Sequence, residues 1–281
     1  MPELPEVETI ARLVRPALVG RRIAGLRASW KRTLGGAAPS SVARAVCGAT
    51  LASVGRRGKF VVLALERAGA PAGGLFLHLR MSGRLHVDPM EAPRRPYERV
   101  SLALDDGNEL RFVDVRKFGR FVFARDPGAI LGALGPEPLD AAFTAEWLDR
   151  GLRSRRRALK PLLLDQTFVA GLGNIYVDES LFRARLHPLT RSDRVGPDGA
   201  ARLWRAIRRT LGEAIEREGS SFDAFYLTPE GQPGSYQERF RVYGRDAKPC
   251  RRCGTRIQRL VVGQRGTHVC PRCQRRSRSR R

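Results

Sequence analysis

Acid is scarce in this chain, lysine is scarcer, and no stretch stays apolar for long. The apolar run at 61–65 is typical of the longest, far short of the ~18 residues of a membrane helix, so no membrane span is expected. With five cysteines in 281 residues, the chain is long enough to bury real cores without disulfide help, and two disulfides are the alternative to a metal site for four of them. The start, MPELPEVE, is acidic where an export signal would be basic, which points away from secretion. Only 28 Asp and Glu face 52 Lys and Arg, a formal charge of +24, so a polyanionic partner is the first expectation and an anionic membrane surface the second. Lysine supplies just five of those cations: Lys31, Lys59, Lys117, Lys160 and Lys248. Codon bias is the plain reading of the abundant Arg, Ala, Gly and Pro. Each lysine still stands out, because arginine cannot readily lose its proton and lysine can. Hydrophobic content of 42% is near the globular norm and excludes disorder of the whole chain. The length suggests about two domains of roughly 150 residues.

Residues 5–19 read as a helix, with Val7, Ile10, Val14, Ala17 and Leu18 at three- and four-residue steps, Pro5 in the first turn and Gly20 as the stop. The period then changes to two. Strands are expected at 23–30, 59–66, 75–81, 100–104, 109–113 and 120–123, with Asp105-Asp106-Gly107-Asn108 as a turn. Many short antiparallel strands indicate a sandwich or barrel. Beyond Gly135-Pro136-Glu137-Pro138, helical periodicity returns at 143–152, 158–165, 175–185 and 197–217, followed by a Gly- and Pro-bearing loop at 228–234.

Three constellations carry chemistry. Cys250-x2-Cys253-x16-Cys270-x2-Cys273 has the soft ligands and knuckle spacing of a tetrahedral zinc ribbon. With all four positions used, no site is left for a bound water, so the zinc is expected to be structural. Residues 250–281 hold eleven arginines and no acid, which suits a DNA-facing hairpin. Cys47 stands alone in apolar surroundings and is read as inert. At the other end, the small Pro2 favours removal of Met1, which exposes a secondary amine. A generic α-amino group has a pKa of about 7.7–8.0 against about 10.4 for lysine, so a terminal amine is far more often neutral and able to attack carbon. Glu3, Glu6 and Glu8 lie beside it, although acids in a first helical turn also simply complement the helix dipole. The third is Gly171-Leu172-Gly173-Asn174-Ile175-Tyr176, a helix opening whose N–H groups suit a phosphate or make an ordinary glycine-rich turn. Upstream of it, Arg150, Arg153, Arg155, Arg156, Arg157 and Lys160 form either a solvated face or a phosphate-tracking strip.

Taken in order, these segments resemble the formamidopyrimidine-DNA glycosylase family over nearly the whole chain. The matching motifs are P-E-L-P-E-V-E-T at 2–9, R-G-K-F at 57–60, H-L-R-M-S-G at 78–83 and D-V-R-K-F-G at 114–119. They continue with L-G-P-E-P-L at 134–139, G-L-G-N-I-Y at 171–176, V-Y-G-R at 242–245 and the zinc ribbon. The resemblance implies an α+β multidomain fold. An N-terminal β-sandwich with a leading helix would span 1–135, a helix–two-turn–helix domain 136–246, and a zinc-ribbon β-hairpin with a basic tail 247–281. It implies a bifunctional base-excision-repair enzyme that removes 8-oxoguanine and formamidopyrimidines and then cleaves the strand. Its partner would be double-stranded DNA carrying such lesions or abasic sites, held in a cleft between the domains, and its cofactor one structural zinc ion. A cytoplasmic, nucleoid-associated enzyme is implied. No driver of oligomerisation is visible, so a monomer is expected.

Site roles follow the same resemblance. Pro2 is the nucleophile, Glu3 the acid/base, Lys59 a proton donor or phosphate-linked catalytic residue, and Arg265, in a hairpin turn at 264–267, the donor for δ-elimination. Asn174 and Arg265 grip phosphates around the lesion. Arg116, Arg155 and Tyr97 contact DNA, and Met81, Arg116 and Phe118 fill the void left by the extruded nucleotide. Lys160 and Glu179 lie near the lesion pocket, and a loop at 220–236 caps the flipped base. Tyr97 stands where the family often has histidine, Val115 replaces a common proline and Lys117 a common arginine. Rival readings are an endonuclease VIII-like glycosylase, disfavoured by Leu4 and by the Met81/Arg116/Phe118 set. A silent zinc-ribbon DNA binder and a metal-dependent nuclease using Glu3, Glu6 and Asp114 are the others.

Overall fold

Helix α1, Leu4–Leu18, forms where the apolar spacing predicts it and buries Val7, Ile10, Ala11, Val14 and Leu18 along one stripe. Its start is a capping box: the Glu3 side chain accepts the Glu6 N–H, and Glu6 Oε2 accepts the Glu3 N–H at 2.8 Å. The computed structural model describes residues 1–221 and 226–276. Strands follow at β1 (Ile23–Ala28), β2 (Thr50–Arg57), β3 (Phe60–Arg67), β4 (Ala70–His78), β5 (Gly83–Pro89), β6 (Glu98–Leu104), β7 (Asn108–Asp114) and β8 (Arg120–Ala124). Helix α2 is Pro39–Val46 and the short α3 Gly128–Leu131. The strands form two antiparallel four-stranded sheets, in the orders β1-β6-β7-β5 and β2-β3-β4-β8. Their buried faces share one core with α1, including Leu63, Leu75, Leu77, Leu102, Leu110, Phe112 and Phe121.

The expected turn at 105–108 is present, with Gly107 at φ +82° and Asp106 Oδ1 accepting the Asn108 N–H. Four elements were not expected: α2, α3, β2 and β5. A register shift between Leu51 and Ser53 breaks the alternation of β2, so its period is not two. The strand expected at 75–81 ends at His78, because Arg80 turns the chain with φ +53°.

A second compact unit comprises Leu134–Glu216 and Tyr236–Arg281. It contains α4 (Ala145–Arg153), α5 (Leu159–Leu164), α6 (Asn174–Ala184), α7 (Gly196–Ile215) and the hairpin β9 (Gln258–Val262) with β10 (Arg265–Val269). Helix α7 buries Leu203, Ile207, Leu211 and Ala214 at helical spacing, and α6 is buried on nearly every side from Tyr176 to Phe182. The first unit is Met1–Ala133 together with Arg217–Ser235. Residues 217–235, read from sequence as part of the middle domain, join the sandwich through Tyr226, which is 3% exposed in its core, and through the Ser220 N–H, which Glu6 Oε1 accepts at 2.8 Å. Among the described residues, no helix is long and apolar enough to cross a membrane.

Glu179 of α6 is fully buried, and its carboxylate accepts the N–H groups of Arg241, Val242 and Tyr243 at 2.9–3.0 Å. Burial pushes its carboxyl pKa up, opposed by those three donors. Glu179→Ala strands donors whose unmade bonds cost about 1–3 kcal/mol each. The loss, partly offset by removing a buried carboxyl, should appear as about 3 kcal/mol or more in urea unfolding, with Gln intermediate. An Ala variant as stable as the parent would show that the 241–243 loop holds itself.

Candidate active site and nucleic-acid interface

The amino end of α1 is enclosed. Pro2 is buried, Glu3 is 3% exposed and Glu6 2%. Glu6 spends both carboxylate oxygens on backbone, one on Glu3 and one on Ser220. Two residues further on, Glu8 Oε2 pairs with Arg56 Nε at 3.0 Å, and Arg56 Nη1 donates to the Gly58 carbonyl at 3.1 Å. Burial pushes the Glu8 carboxyl up, but bonds and charge from Arg12 and Arg56 outweigh it and hold the pKa below the ordinary value. This chain of contacts ties α1 to the turn that carries Lys59. Lys59 is 6% exposed and lies in the two-residue turn between the paired Arg57 and Phe60, with Gly58 at φ +57°. It was expected at the first position of the strand and instead precedes it.

His78 stands beside this turn, its ring edge-on to Phe60 at 4.8 Å. Burial first, then the charges of Arg80, Lys59 and Arg120, push its pKa down to about 3. The neutral ring accepts the Arg80 N–H at Nδ1, 3.1 Å, and so shapes the turn leading to Met81.

Asp114 organises the exposed loops. Fully buried, it accepts the Ser82 hydroxyl at 2.5 Å and the Arg116 N–H at 3.3 Å on Oδ1, and the Gly119 N–H at 2.7 Å on Oδ2. Its own N–H donates to the Tyr97 carbonyl at 3.0 Å. The carboxylate therefore joins the residue after Met81 to both ends of the Arg116–Phe118 tip, and the backbone N–H of the same residue adds Tyr97. A Cβ at Gly119 would lie 2.4 Å from the Phe112 ring, so only glycine lets the tip close this tightly. The tip projects outward: Phe118 is 53% and Tyr97 55% exposed, and the Arg116 guanidinium lies 5.4 Å from the Phe118 ring centre. Lys117 and Tyr97 adopt φ of +60° and +62°, backbone strain held at the exposed loops.

In the second unit, α6 opens at Gly173, which offers no side-chain cap. Gln166 shapes the preceding turn by accepting the Gly171 N–H and donating to the Leu172 carbonyl. Asn174 Nδ2 donates to the Gly266 carbonyl at 3.0 Å. Arg265 is exposed, but it opens β10; the hairpin turn is Gly263-Gln264, so its expected place within the turn is corrected by one step. Arg155 is exposed and lies over the Phe168 ring at 4.8 Å. The Sγ atoms of Cys250, Cys253, Cys270 and Cys273 all lie within 4.8 Å of one another, and the N–H groups of Arg252 and Cys273 point at Cys250 and Cys270 sulfurs. Four converging thiols fit a tetrahedral soft-ligand metal and leave no open position. Cys47 is half-buried against the sandwich core.

Three family models match in chain order. They are the formamidopyrimidine-DNA glycosylase N-terminal domain at 1–121, the H2TH domain of the same enzyme at 134–225, and a zinc finger found in FPG and IleRS at 247–276. A formamidopyrimidine-DNA glycosylase of Chloroflexus aggregans is 46% identical, covering 98% of this chain and 98% of its own. The chain belongs to the formamidopyrimidine-DNA glycosylase family. The crystal structure of the MutM (Fpg) protein from Thermus thermophilus is 41% identical, with a TM-score of 0.86 over 97% of this chain and 98% of that one. A mutant Fpg of Lactococcus lactis, solved in complex with Fapy-dG-containing DNA, is 33% identical with a TM-score of 0.89 over 98% and 100%.

Within this glycosylase fold, the four cysteines hold one structural zinc ion. Lys160 and Glu179, expected near the lesion pocket, are buried with no accessible surface and hold protein: Lys160 the carboxylate of Asp178, Glu179 the 241–243 loop. Both are thus packed, the alternative to a place at the lesion pocket that the residues also allow. Sequence reasoning passed over Ser82 and Gln166, and weighed Asp114 only as a metal ligand. Ser82 and Asp114 stand inside the quoted 78–83 and 114–119 motifs, which was the available signal. Of the loop at 220–236, expected to cap the flipped base, residues 222–225 lie outside the described residues, as do 277–281 of the basic tail.

Because His78 stays neutral to about pH 3 when folded, while an exposed histidine protonates near 6.5, its contribution is complete above pH 6.5 and is lost as acid protonates the unfolded chain. Lowering the pH from 7 to 5 should cost about 2 kcal/mol through this group. His78→Asn should flatten that slope; an unchanged slope assigns it elsewhere. Cys253→Ser should leave the chain without zinc by metal analysis and with weakened DNA binding, and full affinity without metal would refute a structural role for the ion.

Proposed function

We propose that this glycosylase excises 8-oxoguanine and formamidopyrimidine bases from duplex DNA through the amine of Pro2, with Met1 removed, and then cuts the strand on both sides. The observation that carries the reading is that Pro2 directly precedes a buried carboxylate pair, Glu3 and Glu6, at the start of α1. The nitrogen lone pair attacks C1′, the bond from C1′ to the base breaks, and the base leaves with a proton. Glu3 acts as acid/base in this exchange. The sugar ring then opens as the C1′–O4′ bond breaks and O4′ takes a proton, and the iminium so formed between Pro2 nitrogen and C1′ acidifies C2′, so loss of that proton expels the 3′-phosphate in β-elimination. Loss of a C4′ proton then expels the 5′-phosphate in δ-elimination, assisted by Arg265, and a one-nucleotide gap remains.

Lys59, held in its turn by the Glu8–Arg56–Gly58 contacts, serves as proton donor or phosphate partner. Its burial favours a bond to an anion over solvation in water. Asn174, Arg155 and Tyr97 contact the backbone, and no side chain caps α6 to compete with a phosphate. Extruding a nucleotide costs a few kcal/mol, and the half-buried Met81 with the exposed Arg116 and Phe118 offset it by filling the stack; the Arg116–Phe118 tip is held ready by Asp114. The functional modules are 1–135, 136–246 and 247–281, and the enzyme acts as a cytoplasmic monomer associated with the nucleoid. Asp114 spends its carboxylate on the loops, and among the described residues only the four cysteines form a metal-holding group, so a metal-nuclease reading has no ligand set.

Borohydride trapping tests this. A covalent complex should form on 8-oxoguanine opposite C in preference to a 5-hydroxyuracil duplex. Pro2→Glu, whose bulkier second residue retains Met1, moves the terminal amine by one residue, ~3.8 Å, and should trap at least a hundredfold less. Preferential trapping on the pyrimidine would move the enzyme to the endonuclease VIII reading. Undiminished trapping by the Glu variant would overturn the proline nucleophile.

A further inference from the structure

Arg265 leaves a turn whose two residues, Gly263 and Gln264, have φ of +56° and +60°. A two-stranded hairpin is marginal by itself, so the aim of Arg265 depends on what fixes the residues after it. Two side chains hold the carbonyl of Gly266, the next residue: Lys160 Nζ and Asn174 Nδ2 each donate to it at 3.0 Å. Lys160 cannot do this unaided, since an ammonium with no exposed surface needs a buried counter-charge. Asp178, 1% exposed, supplies it: Oδ1 accepts from Lys160 Nζ at 2.6 Å. Its other oxygen accepts the backbone N–H of His268 at 2.9 Å. One carboxylate therefore grips β10 twice, directly at His268 and through Lys160 at Gly266. Tyr243 closes the arrangement, its ring edge-on to His268 at 5.0 Å and its hydroxyl 3.4 Å from Asn174 Nδ2.

We propose that Asp178 is a positioning residue for the second strand cleavage, setting β10 so that Arg265 reaches the sugar-phosphate at the δ-elimination step. The inference rests on the proposed role of Arg265. It assigns Asp178 no contact with DNA; it acts through Lys160, Gly266 and His268. Glu179, the next residue of α6, points about 100° away and holds the 241–243 loop, so the two acids act on separate segments.

Asp178→Asn keeps the side-chain size, but its amide group must face either the Lys160 ammonium or the His268 N–H with a donor. The readout is product ratio on a duplex with a preformed abasic site: fragments ending in 3′-phosphate, from β- and δ-elimination, against those ending in the unsaturated aldehyde, from β-elimination alone. The ratio is internal to each reaction and independent of how much of the enzyme is folded. It should fall at least tenfold, with zinc content still one per chain. A parental ratio with zinc retained overturns the proposal. Should the Asn variant fail to accumulate, Lys160→Met/Asp178→Leu, which removes both buried charges together, is read in the same way. Arg265→Ala separates the two levels. If it leaves the ratio unchanged, the reading of Arg265 fails and takes this inference with it; if it lowers the ratio while the Asp178 variants do not, this inference alone fails.

Discussion

Loops in so basic a chain have to be held without using up its cations. The structure meets this constraint with buried carboxylates that accept backbone N–H groups. Glu6 holds Glu3 and Ser220, Asp114 holds Arg116 and Gly119, Asp178 holds His268, and Glu179 holds residues 241–243. Burying a carboxylate is unfavourable, but bonds to an ionised acceptor contribute about 1.5–3 kcal/mol each and several converge on each group. In a chain with 28 acids against 52 bases, such placements decide where the arginines remain unengaged.

Much of the organisation was legible in the residues because it follows from spacing. Helix α1, the turn at 105–108 and the zinc ribbon each rest on a local pattern whose chemistry admits few alternatives. The exposed Phe118 tip and the Asn174 helix opening stand where the motifs put them. The inner supports were not legible, since nothing local to Lys160 says that it faces Asp178 eighteen residues on and a carbonyl of the zinc hairpin. A lysine in a basic run reads as surface until its burial is seen. Strand β2 escaped for a different reason, a bulge that destroys its alternation.

The two units use the same device for different ends. In the sandwich, Asp114 gathers three loops around an outward tip, which keeps Phe118 exposed although an aromatic of that size would otherwise turn inward. In the helical unit, Asp178 and Glu179 stand side by side on a helix with almost no free face and reach in two directions, one to the hairpin and one to the loop preceding the zinc knuckles. The zinc cysteines pack with Phe182 of the same helix. The hairpin is therefore anchored by metal at its base, by Asp178 at His268 and, through Lys160, at Gly266 nearer its tip.

The return of residues 217–235 to the first unit has a temporal consequence on the ribosome. The sandwich core lacks Tyr226, and Glu6 lacks the Ser220 N–H, until the whole 134–216 segment has been made. At 5–20 residues per second that is a wait of roughly 5–20 s. The amino end of the chain is synthesised first and completed late, so the start of α1 waits in unfinished surroundings while the second unit is still emerging.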